Sequence, residues 1–216
     1  MFKIGTKYHV CCIFITFLLK LQENLIKEDI WMEKQVCVFL ADGFEEIEGL
    51  TVVDLLRRAG VKVTTVSITG ELVIHGAHGI DVLADKLFEE VDYEKQDMAV
   101  LPGGMPGTLH LGEHEGVKTV LEQYYKEEKY IAAICAAPSV LGKYGMLKGR
   151  KATSYPGFED ALEGAAYVYD EVAVDDFVIT SRGMGTAIAF SLTLIEKLVD
   201  AKKAEELGKA IIYKCS

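Results

Sequence analysis

Four times along this chain a short apolar run stops at a turn built from glycine, proline, serine or cysteine. The runs are residues 35–41, Met98–Leu101, Tyr130–Ile134 and residues 177–180. Runs this short and this uniformly hydrophobic suit strands covered on both faces, as in a parallel sheet. Helical patterns fill the intervals at residues 42–59, 115–128, 187–199 and 201–212, and Gly60 closes the first of them. In that first helix Ile47, Leu50, Val53, Leu55 and Leu56 form the expected inward face. Strand 35–41, its helix and a strand at 61–68 make a βαβ unit, which requires a right-handed crossover between parallel strands. The alternation of strand and helix predicts an α/β protein, a three-layer sandwich around a largely parallel central sheet. Smaller features are expected at 72–75 with 80–83 (a hairpin), 87–92 (a short helix), 151–154 (a strand), 158–162 (one or two helical turns) and 172–174 (a strand).

Folds of this kind keep their sites at the carboxyl ends of the strands. Cys135 stands where the run Tyr130–Ile134 ends and a helix carrying Pro138 in its first turn begins. Such a position presents a side chain at the sheet edge, beside unpaired amides and the positive end of a helix dipole, which favour thiolate. The plainer reading of any free cysteine is a small buried hydrophobe. Glu48 sits one turn into the first helix, so its carboxyl can lean back over the same edge and serve as hydrogen-bond donor or proton shuttle for the sulfur. Glu45 and Glu46 read more simply as first-turn acids complementing the helix dipole. The run Pro102-Gly103-Gly104-Met105-Pro106-Gly107 lets backbone amides turn toward a site, and amides after Gly103 and Cys135 can form an oxyanion-type donor pair.

Composition removes other classes. Net charge is −10 over 216 residues, so no basic footprint for nucleic acid exists. Five cysteines, Cys11, Cys12, Cys37, Cys135 and Cys215, show no CxxC spacing, which argues against zinc or a disulfide framework and for a reducing, cytoplasmic setting. Residues 10–19 are apolar but too few to span a bilayer, and no membrane association is expected. Residues 1–32 are read as an N-terminal extension, a non-native or mis-assigned start, with a weak signal-like segment or interfacial anchor as the alternative. Residues 33–216 are read as one domain. His110 and His114 have i, i+4 spacing, but no HExxH glutamate or third ligand accompanies them, so no metal site is expected. GxGxxG and GKS motifs are absent, and no cofactor is expected.

Four segments together, Ala-Asp-Gly-Phe-Glu-Glu-Ile-Glu (41–48), Leu-Pro-Gly-Gly (101–104), Ala-Ala-Ile-Cys-Ala-Ala-Pro (132–138) and Thr-Ser-Arg-Gly-Met-Gly-Thr (180–186), resemble the ThiJ/PfpI superfamily. The likeness is greatest to its DJ-one branch, the Parkinson-associated deglycase and glyoxalase III group, and it covers residues 33–213. The resemblance implies a flavodoxin-like sandwich, commonly a homodimer. It implies a nucleophilic, oxidation-sensitive cysteine at Cys135 and its acid partner at Glu48. Gly103, Gly104 and Ala136 match positions lining the oxyanion pocket, and Arg182 matches a structural residue at the site edge. Two departures stand out. Peptidase-like relatives carry histidine directly after the cysteine; here that residue is Ala136, so proteolysis is not expected. A histidine often found before the later proline is replaced by Tyr155, at best a weaker proton donor at neutral pH. His110 follows the glycine loop and is a candidate substrate contact.

The function so implied is cofactor-independent, cysteine-dependent conversion of small reactive dicarbonyls, such as methylglyoxal, to 2-hydroxy acids, with deglycation as a related activity. The alternative is a redox-sensing or stress-protective protein acting through oxidation of Cys135.

Overall fold

The computed structural model describes residues 33–214, so the expectations for residues 1–32 and for Cys215 fall outside the described residues. The strands in chain order are β1 (Gln35–Leu40), β2 (Lys62–Ser67), β3 (Val73–His75), β4 (Asp81–Leu83), β5 (Lys86–Leu87), β6 (Met98–Leu101), β7 (Tyr130–Ile134), β8 (Lys151–Ala152), β9 (Ala166–Tyr167), β10 (Val172–Asp175) and β11 (Val178–Ser181). Seven of them form the central sheet in the order β10-β11-β7-β6-β1-β2-β5. Every neighbouring pair is parallel except β10 with β11. The helices are α1 (Glu46–Arg58), α2 (Gly107–Glu113), α3 (Glu115–Glu127), α4 (Pro138–Lys143), α5 (Ala187–Leu198) and α6 (Ala201–Ala210).

Strand β1 shows why two helical layers are required. Val36, Val38 and Leu40 pack on one face with Val52 and Leu56 of α1, Phe190 and Leu194 of α5 and Leu207 of α6. Cys37 and Phe39, with Ala41 just beyond, pack on the other face with Leu121 and Tyr124 of α3 and Leu141 of α4. Alternate residues of one strand therefore enter two separate cores, and from Val36 to Leu40 neither face of β1 meets solvent. Mixed α/β architecture with a mostly parallel sheet between helices is what the sequence pattern predicts. No helix among the described residues is long and apolar enough to cross a membrane.

Several local expectations change. In α1, Ile47 is half exposed and Leu50 only partly buried, while Glu46 and Glu48 take buried positions. Apolar periodicity misplaces the inner face because two acids are turned inward to be used. The expected helix at 87–92 is β5 followed by a single 3₁₀ turn, Phe88–Glu90. An unexpected helix, α2, separates the glycine loop from α3, and the expected strand 151–154 is only β8, paired with an unexpected β9. The expected hairpin forms as β3 and β4.

Register fixes the site. Val38 lies beside Val100, Leu101 beside Ala133, and Ile134 beside Ser181. The residues that follow these strand ends therefore converge on one stretch of the carboxyl edge.

Candidate active site

Cys135 caps β7 with φ 66°, in the left-handed region. A non-glycine residue held there carries backbone strain, which persists only where neighbours fix it. Here the neighbours do: its N–H donates to the Ser181 carbonyl at 3.0 Å, and its carbonyl accepts from the Tyr155 N–H at 2.8 Å. Pro138 opens α4 three residues later. The thiol is partly exposed, and the N–H groups of Ala136 and Gly104 hydrogen-bond to it.

Glu48 is 1% exposed. Its Oε2 accepts the Gly103 N–H at 2.9 Å, the Met184 N–H also donates to the carboxyl, and a side-chain hydrogen bond joins it to Cys135. Gly103 is required between them: a Cβ there would lie 2.6 Å from the Cys135 Cβ and 2.6 Å from Glu48 Oε2. The structure thus brings Cys135, Glu48, Gly103, Gly104 and Ala136 together. Gly104 and Ala136 point amides at the sulfur, whereas the Gly103 amide is committed to Glu48. Met184 was not singled out from the sequence; the Gly-rich turn around it was the available signal.

Burial raises the Glu48 carboxyl to about 7, against the hydrogen bonds from Cys135 and the amides. Burial, and then the negative charge of Glu48, push the Cys135 thiol up to about 12, although two amides pull the other way. This corrects the expectation of a thiolate favoured by the helix end alone: desolvation and a neighbouring carboxylate outweigh the dipole. A protonated Glu48 removes the opposing charge and can donate its O–H to the sulfur, so one proton is shared between the two groups.

A raised carboxyl also bears on stability. Its contribution is full below the unfolded value near 4.5 and is lost as pH rises through about 7. Glu48→Gln is therefore expected to be more stable than wild type at pH 8 by about 3 kcal/mol, with the gap closing toward pH 5. Urea unfolding at the two pH values checks this, and an equal gap at both would contradict it.

Glu46 has a role that its place in the first turn conceals. It is buried, its Oε1 accepts the His78 N–H at 2.7 Å, and its Oε2 meets His78 Nδ1 at 2.9 Å. Burial opposes ionisation, but these bonds and that from the Ile80 amide prevail and hold the carboxyl at about 2. The clasp ties the β3–β4 hairpin to the start of α1. Glu45, Glu46 and His78 are the one group of such side chains among the described residues compact enough to share an ion.

The remaining candidates separate. Tyr155 is half exposed at the site edge, its ring 3.2 Å from where a Gly183 Cβ would stand. Arg182 follows the residue that accepts the Cys135 amide and stacks on Tyr169, 5.8 Å from its ring centre. His110 is not brought to the sulfur. Its Nδ1 lies 3.0 Å from the Asp42 carbonyl, in a separate recess of about 340 Å³ with Ile68, Thr69, Glu113 and His114. His114 instead caps α3 by accepting the Val117 N–H, so the two histidines do not act as a chelating pair on one helix.

The chain as a whole is similar to several known proteins. The family model described as DJ-1/PfpI family matches residues 34–197. Protein dj-1beta of Drosophila melanogaster is 39% identical over 183 residues, covering 84% of this chain and 98% of that protein. The glutathione-independent glyoxalase DJ-1 of Schizosaccharomyces pombe is 29% identical over 187 residues, covering 82% and 97%. The structure of Toxoplasma gondii DJ-1, oxidized, superposes with a TM-score of 0.81 at 36% identity, covering 84% of this chain and 100% of that one.

Proposed function

The chain belongs to the DJ-1/PfpI family, and on that footing we propose that it is a cofactor-independent glyoxalase of the glyoxalase III or deglycase-like kind, converting 2-oxoaldehydes such as methylglyoxal to 2-hydroxy acids. The observation that carries this reading is the hydrogen-bonded pair of Cys135 and Glu48, with the Gly104 and Ala136 amides at the sulfur. A relative of known name, the S. pombe glyoxalase, lends support through its likeness over most of both chains.

The chemistry follows from the shared proton. Thiolate of Cys135 adds to the aldehyde carbon while the Glu48 O–H delivers its proton to the new oxyanion, giving a hemithioacetal. The Gly104 and Ala136 amides stabilise negative charge as it passes from sulfur to oxygen. The Glu48 carboxylate then takes the proton from the former aldehyde carbon, the hydroxyl proton passes to the neighbouring oxygen of the resulting enediolate, and Glu48 returns its proton to the adjacent carbon. The result is a lactoyl thioester, whose C–S bond water cleaves to release lactate and the thiol. No histidine follows Cys135, and hydrolysis of peptides is not part of this reading.

The test is lactate formation from methylglyoxal by the purified chain, without glutathione and with a chelator present. Lactate accumulating in proportion to enzyme is expected; none above the buffer rate would overturn the reading.

The same thiol supports a second reading, a redox sensor. Cys135 is partly exposed, whereas Cys37 is fully buried and out of reach of peroxide. Mild peroxide is expected to add oxygen at Cys135 and leave Cys37 intact by peptide mass. Equal oxidation of both would remove this role.

The proposal includes a cytoplasmic homodimer. An apolar groove of about 680 Å³ runs along α1 beside Ile47, Leu50, Ile80, Ile188 and Ile211, a face suited to a second copy. Light scattering is expected to give twice the chain mass.

A further inference from the structure

We propose that Arg182 is the specificity-determining residue of this site, and that the preferred substrates are 2-oxoaldehydes carrying a carboxylate. The inference rests on the dicarbonyl reading above and deepens it. Arg182 stands directly after Ser181, whose carbonyl holds the Cys135 amide at 3.0 Å, and directly before Gly183, which faces the Tyr155 ring and Glu48 Oε1. The backbone of Arg182 is therefore one residue from the groups that position the thiol.

What distinguishes Arg182 is its lack of an acid. Arg57, Arg58 and Arg150 each pair with an aspartate. Among the described residues no carboxylate pairs with Arg182, and its Nε is buried with no hydrogen-bond partner. Glu171, just before β10, pairs with Lys214 at 2.8 Å. The contact that orients the cation is the face of Tyr169, 5.8 Å from the ring centre to the guanidinium carbon. Tyr169 packs edge-on against Tyr167 at 5.2 Å, and the Tyr167 hydroxyl donates to the Ser154 carbonyl at 3.2 Å. Ser154 adjoins Tyr155, whose N–H holds the Cys135 carbonyl. Two tyrosine rings and the Ser154–Tyr155 backbone thus link the stacked guanidinium to a hydrogen bond of the Cys135 carbonyl.

Stacking fixes the plane of a guanidinium and leaves its edge donors free, and a planar carboxylate matches that fork. A buried cationic donor without an acceptor is unfavourable until an anion supplies one. In a chain of net charge −10, an unpaired arginine also reverses the sign of the field that an incoming anion meets. Methylglyoxal has no group for this position. An aldehyde such as 4,5-dioxopentanoate has one, two methylenes beyond the ketone, and its product is 2-hydroxyglutarate.

The test compares kcat/KM for 4,5-dioxopentanoate and methylglyoxal in wild type, Arg182→Met and Arg182→Lys. Wild type is expected to favour the anionic substrate. Arg182→Met is expected to lower that ratio roughly ten- to hundredfold, with Arg182→Lys between. Calorimetric titration with 2-hydroxyglutarate reads the same contact without turnover, and binding is expected to weaken by a similar factor in Arg182→Met. An unchanged ratio, or equal affinity for 2-hydroxyglutarate in wild type and Arg182→Met, would overturn the assignment and leave Arg182 as a prop for Tyr169. If neither aldehyde turns over, the dicarbonyl reading fails, and the titration alone decides the role of Arg182.

Discussion

Cys135→Ala is expected to stop lactate formation, lowering turnover roughly a thousandfold or more. Among the described residues no second exposed cysteine stands in reserve. Cys37 is the one other cysteine among the described residues, fully buried in the same core as Tyr124, with its thiol donating to the Met98 carbonyl. Glu48 in the variant keeps its bonds to the Gly103 and Met184 amides, so the base survives without a covalent adduct to act upon. Alanine inherits φ 66°, as strained as cysteine, so the fold is expected to hold. Retained turnover would mean that a general base acts on free aldehyde hydrate and that the covalent step is wrong. The measurement is lactate per enzyme, with circular dichroism as the control for folding.

Gly103→Ala is expected to damage both stability and chemistry, although it adds a single methyl group. The new Cβ would stand 2.6 Å from the Cys135 Cβ, 2.6 Å from Glu48 Oε2 and 3.0 Å from the Ile134 carbonyl. None of these can retreat easily: Cys135 is tied to Ser181 and Tyr155, Glu48 is packed inside α1, and Ile134 belongs to the central sheet. Overpacking of this kind destabilises by about 1–3 kcal/mol. The displaced Glu48 loses its contact with sulfur, and turnover is expected to fall roughly a hundredfold. Gly185→Ala is the control, because a Cβ there meets nothing within 4 Å. Urea unfolding and initial rates on both variants decide the matter; equal behaviour would show that Gly103 is not a spacer between nucleophile and acid.

The legible parts of this protein are those where one physical rule decides. Runs such as Met98–Leu101 and Tyr130–Ile134 announce buried strands because both faces are apolar, and each forms with the predicted bounds. Cys135 and Glu48 are legible because a strand-to-helix turn and a first-turn acid project to one edge, and because four motifs resemble one family. What stayed hidden depends on pairing between distant segments. Glu46 reads as a dipole complement until the loop at 76–80 closes on it. Ile47 reads as core until Glu46 and Glu48 claim the inner face. The titration of the thiol depends on burial, which no local pattern reports. His110 and His114 share a helical spacing but belong to different helices, because α2 ends before His114 caps α3.

The central claim is that Cys135 and Glu48 hold one proton between them. Its most direct test is the rate of iodoacetamide alkylation at Cys135 against pH, read by intact and peptide mass, in wild type and Glu48→Gln. The one-proton state forms as pH rises through the Glu48 value of about 7; its main form is thiol facing carboxylate, and thiolate facing a protonated acid is its minor, reactive form. The account predicts a wild-type rate that rises through an inflection near 7, and a Glu48→Gln profile without that inflection, rising only in the range of a buried thiol. A wild-type inflection at 9 or above, unmoved by Glu48→Gln, would contradict it.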